Sequence, residues 1–119
     1  KMDSDLINVD TEAVQKVNKA KAEGRKICAI GTSVQRVLET ATLTGGMLKE
    51  YDGWTSKFIF PEHNFEVANC MVANFYAPYS TMLMLTTAFG GYDNVMNAYQ
   101  VALDEGYRFG LYGDAMLIL

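Results

Sequence analysis

The chain has 119 residues, half of them hydrophobic, a net charge of −4 and two cysteines. This length and composition predict one domain with a single hydrophobic core and exclude a low-complexity chain. The apolar run at residues 82–89 is far shorter than the roughly 20 residues that span a bilayer. With no secretory signal visible, we expect a cytoplasmic protein that has no membrane-spanning helix.

The charges are distributed unevenly along the chain. Residues 1–30 hold six of the ten basic residues, whereas residues 31–119 hold four basic residues against nine acidic ones. The second part is therefore not an electrostatic footprint for nucleic acid. If RNA is bound, its phosphates would meet Lys16, Lys19 and Lys21, or another part of a longer polypeptide. We favour a solvated helix face as the interpretation of these lysines.

The first third of the chain predicts a helix, a strand and a second helix. Asp10 is a typical N-cap residue, and apolar residues follow it at helical spacing until Gly24. Residues 26–30 are a short apolar run typical of a buried strand. Gly31-Thr32-Ser33 then turns the chain into the next helix. A strand, a turn of small residues and a helix form the first half of a βα unit.

The middle of the chain predicts extended segments. Residues 47–60 are short extended pieces around a turn signal at Asp52-Gly53, which indicates a short β-hairpin-like region. We expect its last strand, residues 58–60, to end at Pro61. Residues 65–74 are predicted to be extended as well.

The last part of the chain predicts two helices and a strand. Ser80 or Thr81 caps a helix that runs to about Phe89, and Asp93 caps the next one. The apolar stripe of that second helix is formed by Val95, Met96, Tyr99, Ala102 and Leu103. Residues 115–119 form a last buried strand. Strands alternating with helices indicate the α/β class, with mainly parallel strands.

One candidate binding site is the turn Gly31-Thr32-Ser33, at a strand end and a helix start. Ligands of open α/β sheets gather at the carboxyl ends of strands, and two hydroxyl groups with a helix N-terminus suit a phosphate or carboxylate. An ordinary N-cap explains the same residues. Arg36 follows one turn later and either binds an anion through its guanidinium fork or forms a surface ion pair with Glu39. From spacing alone we favour the ion pair.

A second candidate site lies between Asn74 and Thr81. Its polar side chains stand just before or at a helix start: Asn74, Tyr76, Tyr79, Ser80 and Thr81. The two tyrosines, if exposed, suit stacking on a base or an adenine. A structural loop with a cap explains the segment too. Asp114 precedes the last strand. It is either a turn residue or, in a cleft, an acid, a base or a stabiliser of an oxocarbenium ion.

The cysteines and the histidine predict little chemistry. Cys28 and Cys70 lie in apolar segments and are best interpreted as buried free thiols, with a disulfide or a catalytic thiol as the alternatives. His63 is the single histidine and has no close Cys, Asp or Glu cluster in the sequence. We therefore expect no metal site.

Several sequence words, in the same order, resemble those of one family. Gly31–Glu39 resembles G-T-[ST]-x-x-R-x-[LI]-E, Gly53–Pro61 resembles G-x-T-x-x-F-I-[YF]-P, Asn74–Met84 resembles N-F-H-x-P-x-S-T-L-L-M, and Tyr107–Phe109 and Tyr112–Leu117 resemble Y-[RK]-F and Y-G-D-A-M-L. These are words of the S-adenosylmethionine:tRNA ribosyltransferase-isomerases of queuosine biosynthesis. The resemblance covers nearly the whole chain. It is to the C-terminal part of the family's sequence.

The resemblance implies a reaction and a domain. The family transfers the ribosyl part of S-adenosylmethionine to 7-aminomethyl-7-deazaguanine at the wobble position of a tRNA and isomerises it to give epoxyqueuosine, with release of adenine and methionine. S-adenosylmethionine is a co-substrate, and neither a prosthetic group nor a metal is expected. Residues 1–119 would be the C-terminal portion of an α/β domain, without the family's inserted β-barrel. Because the chain begins at Lys1, we expect the rest of a parent polypeptide as a partner.

The resemblance also suggests roles for the candidate residues. Binding of an anionic group of the methionine or the RNA would fall to Gly31, Thr32, Ser33 and Arg36. Asn74, Tyr76, Ser80 and Thr81 would border the reacting sugar, and Asp114 would be a polar side of the same cleft. We therefore take Asp114 and Tyr76 as the candidate catalytic residues.

The chain departs from the family pattern at three positions. Tyr76 and Asp3 replace histidines, and Tyr79 stands where the family often has lysine. Tyrosine is a poor proton carrier near neutral pH because its reference pKa is about 10. The departures leave an alternative open, a paralogue that binds tRNA or a nucleoside but performs no ribosyl transfer.

Overall fold

The computed structural model describes residues 4–57, 59, 63–77 and 80–119. These residues form five strands and four helices. In chain order they are β1 (Asp5–Val9), α1 (Thr11–Ala22), β2 (Cys28–Ile30), α2 (Thr32–Thr40), β3 (Tyr51–Thr55), β4 (Cys70–Asn74), α3 (Thr81–Gly90), α4 (Tyr92–Asp104) and β5 (Ala115–Ile118). The α/β class predicted from the sequence is confirmed.

Among the described residues the strands form two sheets, and most pairings are not parallel. Strands β1 and β3 pair antiparallel in one sheet. In the other sheet, of order β2-β4-β5, β2 and β4 are parallel but β4 and β5 are antiparallel. The expectation of mainly parallel strands is therefore wrong. Two helices, rather than one, separate β4 from β5. After the second helix the chain re-enters the sheet at the end where β4 left it. Strand β5 therefore runs antiparallel beside β4.

The predicted turn at Asp52-Gly53 is also wrong. Both residues lie inside β3, where Asn8 pairs with Asp52 and Ile7 pairs with Gly53. The sequence does not predict β1. Pairing with β1 keeps the backbone of β3 extended at Asp52-Gly53, a dipeptide that is typical of turns. The predicted strand at residues 58–60 lies largely outside the described residues, although Ile59 is buried.

Helix boundaries follow the capping signals in two of three cases. Asp10 accepts a hydrogen bond from the Ala13 N–H at 2.9 Å, and Ser80 accepts one from the Leu83 N–H at 3.1 Å. Gly91, not Asp93, is the N-cap of α4, and Asp93 lies in the first turn. The buried face of α4 is Val95, Tyr99 and Ala102, whereas Leu103 is exposed.

One face of the sheet β2-β4-β5 carries the core. Ala29, Met71 and Ala73 are buried there, and Met116 and Ile118 of β5 pack against the same cluster. The alternate residue Leu117 is exposed, so the last strand is half-buried rather than fully buried. Cys70 is buried but Cys28 is exposed, which corrects the prediction of two buried thiols. Among the described residues, the helices are too short or too polar to cross a membrane.

Candidate functional site

A cleft of about 230 Å³ lies where α2 and α3 begin. Its lining residues are Asp5, Thr32, Ser33, Arg36, Thr81, Met82 and Leu85. Three of the hydroxyl-bearing candidates, Thr32, Ser33 and Thr81, therefore meet across about fifty residues of sequence. The fold brings them together because β2 and β4 are parallel, so the chain leaves both strands at the same sheet edge.

The N-terminus of α2 has no side-chain cap among the described residues. Its N-cap is Gly31, with a φ of 101° that favours glycine. The Gly31 N–H donates to the Val72 carbonyl at 2.7 Å, which fixes the turn to the neighbouring strand. The first N–H groups of a helix have no partner within the helix. Gly31 is therefore the N-cap, as in the ordinary interpretation of this turn. Because no side chain caps the helix, its first N–H groups also suit an anion.

Tyr76, which belongs to the second candidate site, contacts the start of α2. Its hydroxyl lies 3.4 Å from the Thr32 hydroxyl, and both residues are buried. The Tyr76 N–H donates to the Tyr99 hydroxyl at 2.8 Å. Burial raises the pKa of Tyr99, partly offset by that hydrogen bond from the Tyr76 backbone. Tyr99 therefore remains a neutral phenol that accepts from the backbone of Tyr76.

The start of α3 differs from that of α2 because a side chain caps it, and a second hydroxyl group lines the cleft. Ser80 caps the helix through the Leu83 N–H, which is the structural role considered above. Thr81, the first residue of the helix, lines the cleft. Thr81 is therefore better placed than Ser80 to contact a ligand.

Arg36 is buried, and its guanidinium holds three segments together. Its Nε and one terminal nitrogen donate to the carbonyls of Lys57 and Thr55, each at 3.0 Å. The other terminal nitrogen contacts the carboxylate of Asp5. The side chain of Asp5 is 63% exposed, so the cleft wall carries a carboxylate that solvent can reach. Sequence reasoning missed Asp5, because its contact with Arg36 joins segments that are 31 residues apart.

The predicted ion pair between Arg36 and Glu39 is wrong. Glu39 is buried and accepts from His63 Nε2 at 2.8 Å. The same carboxylate accepts from the N–H groups of Glu66 and Val67 at 3.1 and 3.3 Å. Glu39 therefore anchors the segment that precedes β4 rather than pairing with Arg36.

Asn74 and Asp114 form a separate polar group at the same sheet edge. Asn74 pairs with Ala115 across β4 and β5, and its amide nitrogen lies 3.4 Å from the Asp114 carbonyl. The Asp114 carboxylate accepts from the Arg108 N–H at 2.7 Å and so closes a turn. Neither residue lines the cleft described above. Asp3 and Tyr79 lie outside the described residues.

Two lysines of α1, Lys16 and Lys19, match the interpretation of a solvated helix face, whereas Lys21 is half-buried. Lys16 and Lys19 are exposed and pair with Glu12 and Glu23. Lys21 donates to the Glu66 carbonyl at 2.7 Å. Across the described residues, no group of three His, Cys, Asp or Glu side chains is arranged to hold a metal ion.

Comparison with known proteins shows the family. The family model described as "Queuosine biosynthesis protein" matches residues 1–118. The chain belongs to this family. It is 61% identical over its whole length to the S-adenosylmethionine:tRNA ribosyltransferase-isomerase of Bacteroides fragilis and 46% identical to that of Halothermothrix orenii.

A solved member of the family has the same fold. The crystal structure of S-adenosylmethionine tRNA ribosyltransferase from Thermotoga maritima matches with a TM-score of 0.89 at 44% identity. The match covers 96% of this chain and 40% of that one. The chain spans about a third of the length of the curated relatives, 34% of the protein from Bacteroides fragilis.

Proposed function

We propose that this chain is the C-terminal portion of the α/β domain of an S-adenosylmethionine:tRNA ribosyltransferase-isomerase. The reaction transfers the ribosyl moiety of S-adenosylmethionine to 7-aminomethyl-7-deazaguanine in tRNA and isomerises it to give epoxyqueuosine. S-adenosylmethionine is a co-substrate, and the partners are a tRNA with a modified wobble base and the rest of the parent polypeptide, which carries the inserted β-barrel. A tRNA substrate places the protein in the cytoplasm.

One observation carries the proposal: the cleft combines an uncapped helix start with hydroxyl groups from two family words. Thr32 and Ser33 come from the first word and Thr81 from the other. Relatives that are 61% identical to this chain over its whole length bear the name of the enzyme. The comparisons do not favour the non-catalytic paralogue, despite Asp3 and Tyr76, because these relatives are named for transfer and isomerisation.

The cleft suits parts of S-adenosylmethionine. The backbone N–H groups after Gly31, with the hydroxyl of Ser33, bind the carboxylate of its methionine part. Thr81 contacts a ribose hydroxyl. The carboxylate of Asp5 is the anionic group in the wall and favours the positive sulfonium. Arg36 supports this site by holding Asp5 and the end of β3, and does not bind the anion itself.

Tyr76 and Asp114 take different roles in this proposal. The Tyr76 hydroxyl contacts that of Thr32, which lines the cleft, and orients the Thr32 hydroxyl toward the sugar. Asn74 and Asp114 lie beyond the cleft at the same sheet edge, where Asp114 is the carboxylate available to the incoming base. Ser80 contributes by holding the start of α3, so that Thr81 faces the ligand.

The test uses the full-length parent polypeptide and measures adenine release from S-adenosylmethionine with substrate tRNA. We expect release that depends on the tRNA. Thr81→Val removes one cleft hydroxyl and should lower kcat/KM by about fivefold, since a lost hydrogen bond costs about 1 kcal/mol. Thr44→Val, at an exposed turn outside the cleft, is the matched control. No adenine release by the folded parent would contradict the proposed function.

A further inference from the structure

The two cysteines lie directly opposite each other on neighbouring strands. Cys28 of β2 is the register partner of Cys70 of β4. Paired residues of adjacent strands project from the same face, and the strands lie about 4.8 Å apart. Disulfides join residues whose Cα atoms are roughly 4.4–6.8 Å apart. Register partners at this strand spacing have Cα atoms within the range that a disulfide bridges.

The two thiols differ in their access to solvent. Cys28 is exposed, whereas Cys70 is 8% exposed and both are free. Cys70 Sγ lies 3.8 Å from the Ile27 carbonyl oxygen, to which it donates. A reagent in solution meets Cys28 first, and Cys70 is positioned behind it as the second thiol. The sequence contains no further cysteine, so the pair is isolated from other thiols of this chain.

We propose that Cys28 and Cys70 form a modification site, a dithiol that low-molecular-weight disulfides convert reversibly to a cross-strand disulfide. The Cys28 thiolate attacks one sulfur of the small disulfide, forms a mixed disulfide and releases one small thiolate. The Cys70 thiolate then attacks Cys28 Sγ and releases the second small thiolate. The protons of both cysteines leave with these products, so two protein thiols and one disulfide give one protein disulfide and two small thiols.

The surroundings of Cys28 make its attack on a disulfide slow near neutral pH. A hydrogen bond with Cys70, with burial and the neighbouring thiol's charge adding to it, raises the pKa of Cys28. Because the thiolate is the attacking form, the exchange becomes faster as pH rises. Cys28 also lies three residues before Gly31, so the disulfide would fasten β2 to β4 directly below the turn that begins the cleft.

The test treats the reduced native polypeptide with oxidised glutathione, and the products are identified by peptide mapping under non-reducing conditions. We expect a disulfide between Cys28 and Cys70 within one chain, which dithiothreitol reverses. Cys70→Ser should accumulate the glutathione adduct on Cys28, because the second step is absent. Cys28→Ser should leave Cys70 largely unmodified until the protein is unfolded.

Other results would overturn the proposal. Wild-type protein that stops at the Cys28 adduct, or that links two chains through Cys28, would show that Cys70 cannot reach it. Absence of any modification in the folded protein, with full modification in urea, would show that Cys28 is inaccessible. Circular dichroism of each variant confirms that the strands are intact, and Cys28→Ala provides a second variant if the serine disturbs the sheet.

Discussion

The hydroxyl of Tyr76 lies 3.4 Å from the hydroxyl of Thr32, although 44 residues separate them in the chain. This contact joins the strand-to-helix turn after β2 to the segment after β4. It exists because β2 and β4 are parallel neighbours, so both segments leave the sheet at one edge. Tyr99 fixes the Tyr76 backbone from α4. The geometry of the cleft therefore depends on three elements that are distant in sequence.

Removal of the Tyr76 hydroxyl should lower activity with little loss of stability. Tyr76→Phe keeps the buried ring but leaves Thr32 without this contact, and we expect kcat/KM for adenine release by the parent enzyme to fall about tenfold. The Thr32→Val and Tyr76→Phe double variant should be no worse than the more impaired single variant, because the two residues act as one unit. Tyr92→Phe, at an exposed tyrosine, is the control. Fully additive losses would contradict a shared role.

The helices that border the cleft could be predicted from the sequence because their signals are local. The glycine before Thr32 and the serine at position 80 mark helix starts that the structure confirms. The role of Ser80 could be predicted from its own side chain, because serine is a preferred N-cap residue. The meeting of Thr32 with Thr81 followed from the expectation that β2 and β4 share an orientation.

The contacts of Arg36 and Glu39 could not be predicted because they depend on distant segments. The three-residue spacing suggests an ion pair, but partners of Arg36 include Asp5 and the carbonyls of Thr55 and Lys57. Glu39 instead binds the segment before β4. Strand β1 has little signal of its own, since it pairs with a strand that begins more than forty residues later. The error at Asp52-Gly53 has the same origin.

Replacement of Arg36 should destabilise the fold far more than replacement of its acidic partner. Arg36→Met retains the stem but leaves the carbonyls of Thr55 and Lys57 without their donor, and we expect a loss of about 3 kcal/mol in the free energy of unfolding. Asp5→Asn should cost less than about 1 kcal/mol, because that carboxylate is mostly exposed. Urea denaturation of both variants measures the difference. Equal losses would show that the ion pair, rather than the carbonyl contacts, stabilises this region.

Glu39 should control the order of the segment before β4. Glu39→Ala removes the acceptor of the Glu66 and Val67 N–H groups, so hydrogen exchange at these two amides should become at least tenfold faster. We expect a loss of about 1–3 kcal/mol in the free energy of unfolding. His63→Asn removes one contact of the carboxylate but leaves its two backbone partners, and should affect exchange less. Unchanged protection of both amides in Glu39→Ala would contradict the anchoring role.

Tyr99 should make the protein less stable at alkaline pH. Burial raises its pKa in the folded state, so the unfolded chain ionises first and binds fewer protons than the folded one. Stability is therefore fully present below the ordinary tyrosine pKa of about 10 and falls as pH rises above it. Tyr99→Phe should reduce this decline while costing about 1 kcal/mol at neutral pH through the lost Tyr76 hydrogen bond. Denaturation midpoints between pH 8 and 11 test this, and an identical slope in both proteins would refute it.

Gln35 should be replaceable with a gain in stability. Its side chain is completely buried, and neither its amide oxygen nor its amide nitrogen has a hydrogen-bond partner among the described residues. An unsatisfied buried polar group costs about 1–3 kcal/mol. Methionine has a similar length and a comparable helix propensity, so Gln35→Met should raise the free energy of unfolding by about 1–2 kcal/mol.

The control for Gln35→Met is the same substitution at the neighbouring, more exposed position of α2. Val34→Met, at a partly solvent-facing residue, controls for the effect of methionine on α2 and should change stability by less than about 0.5 kcal/mol. If Gln35→Met destabilises the protein while Val34→Met does not, the amide is hydrogen-bonded in solution, to a buried water or to a segment packed against α2. A gain in stability with a fall in adenine release by the parent would instead show that Gln35 is retained for function, since α2 carries both this amide and the start of the cleft.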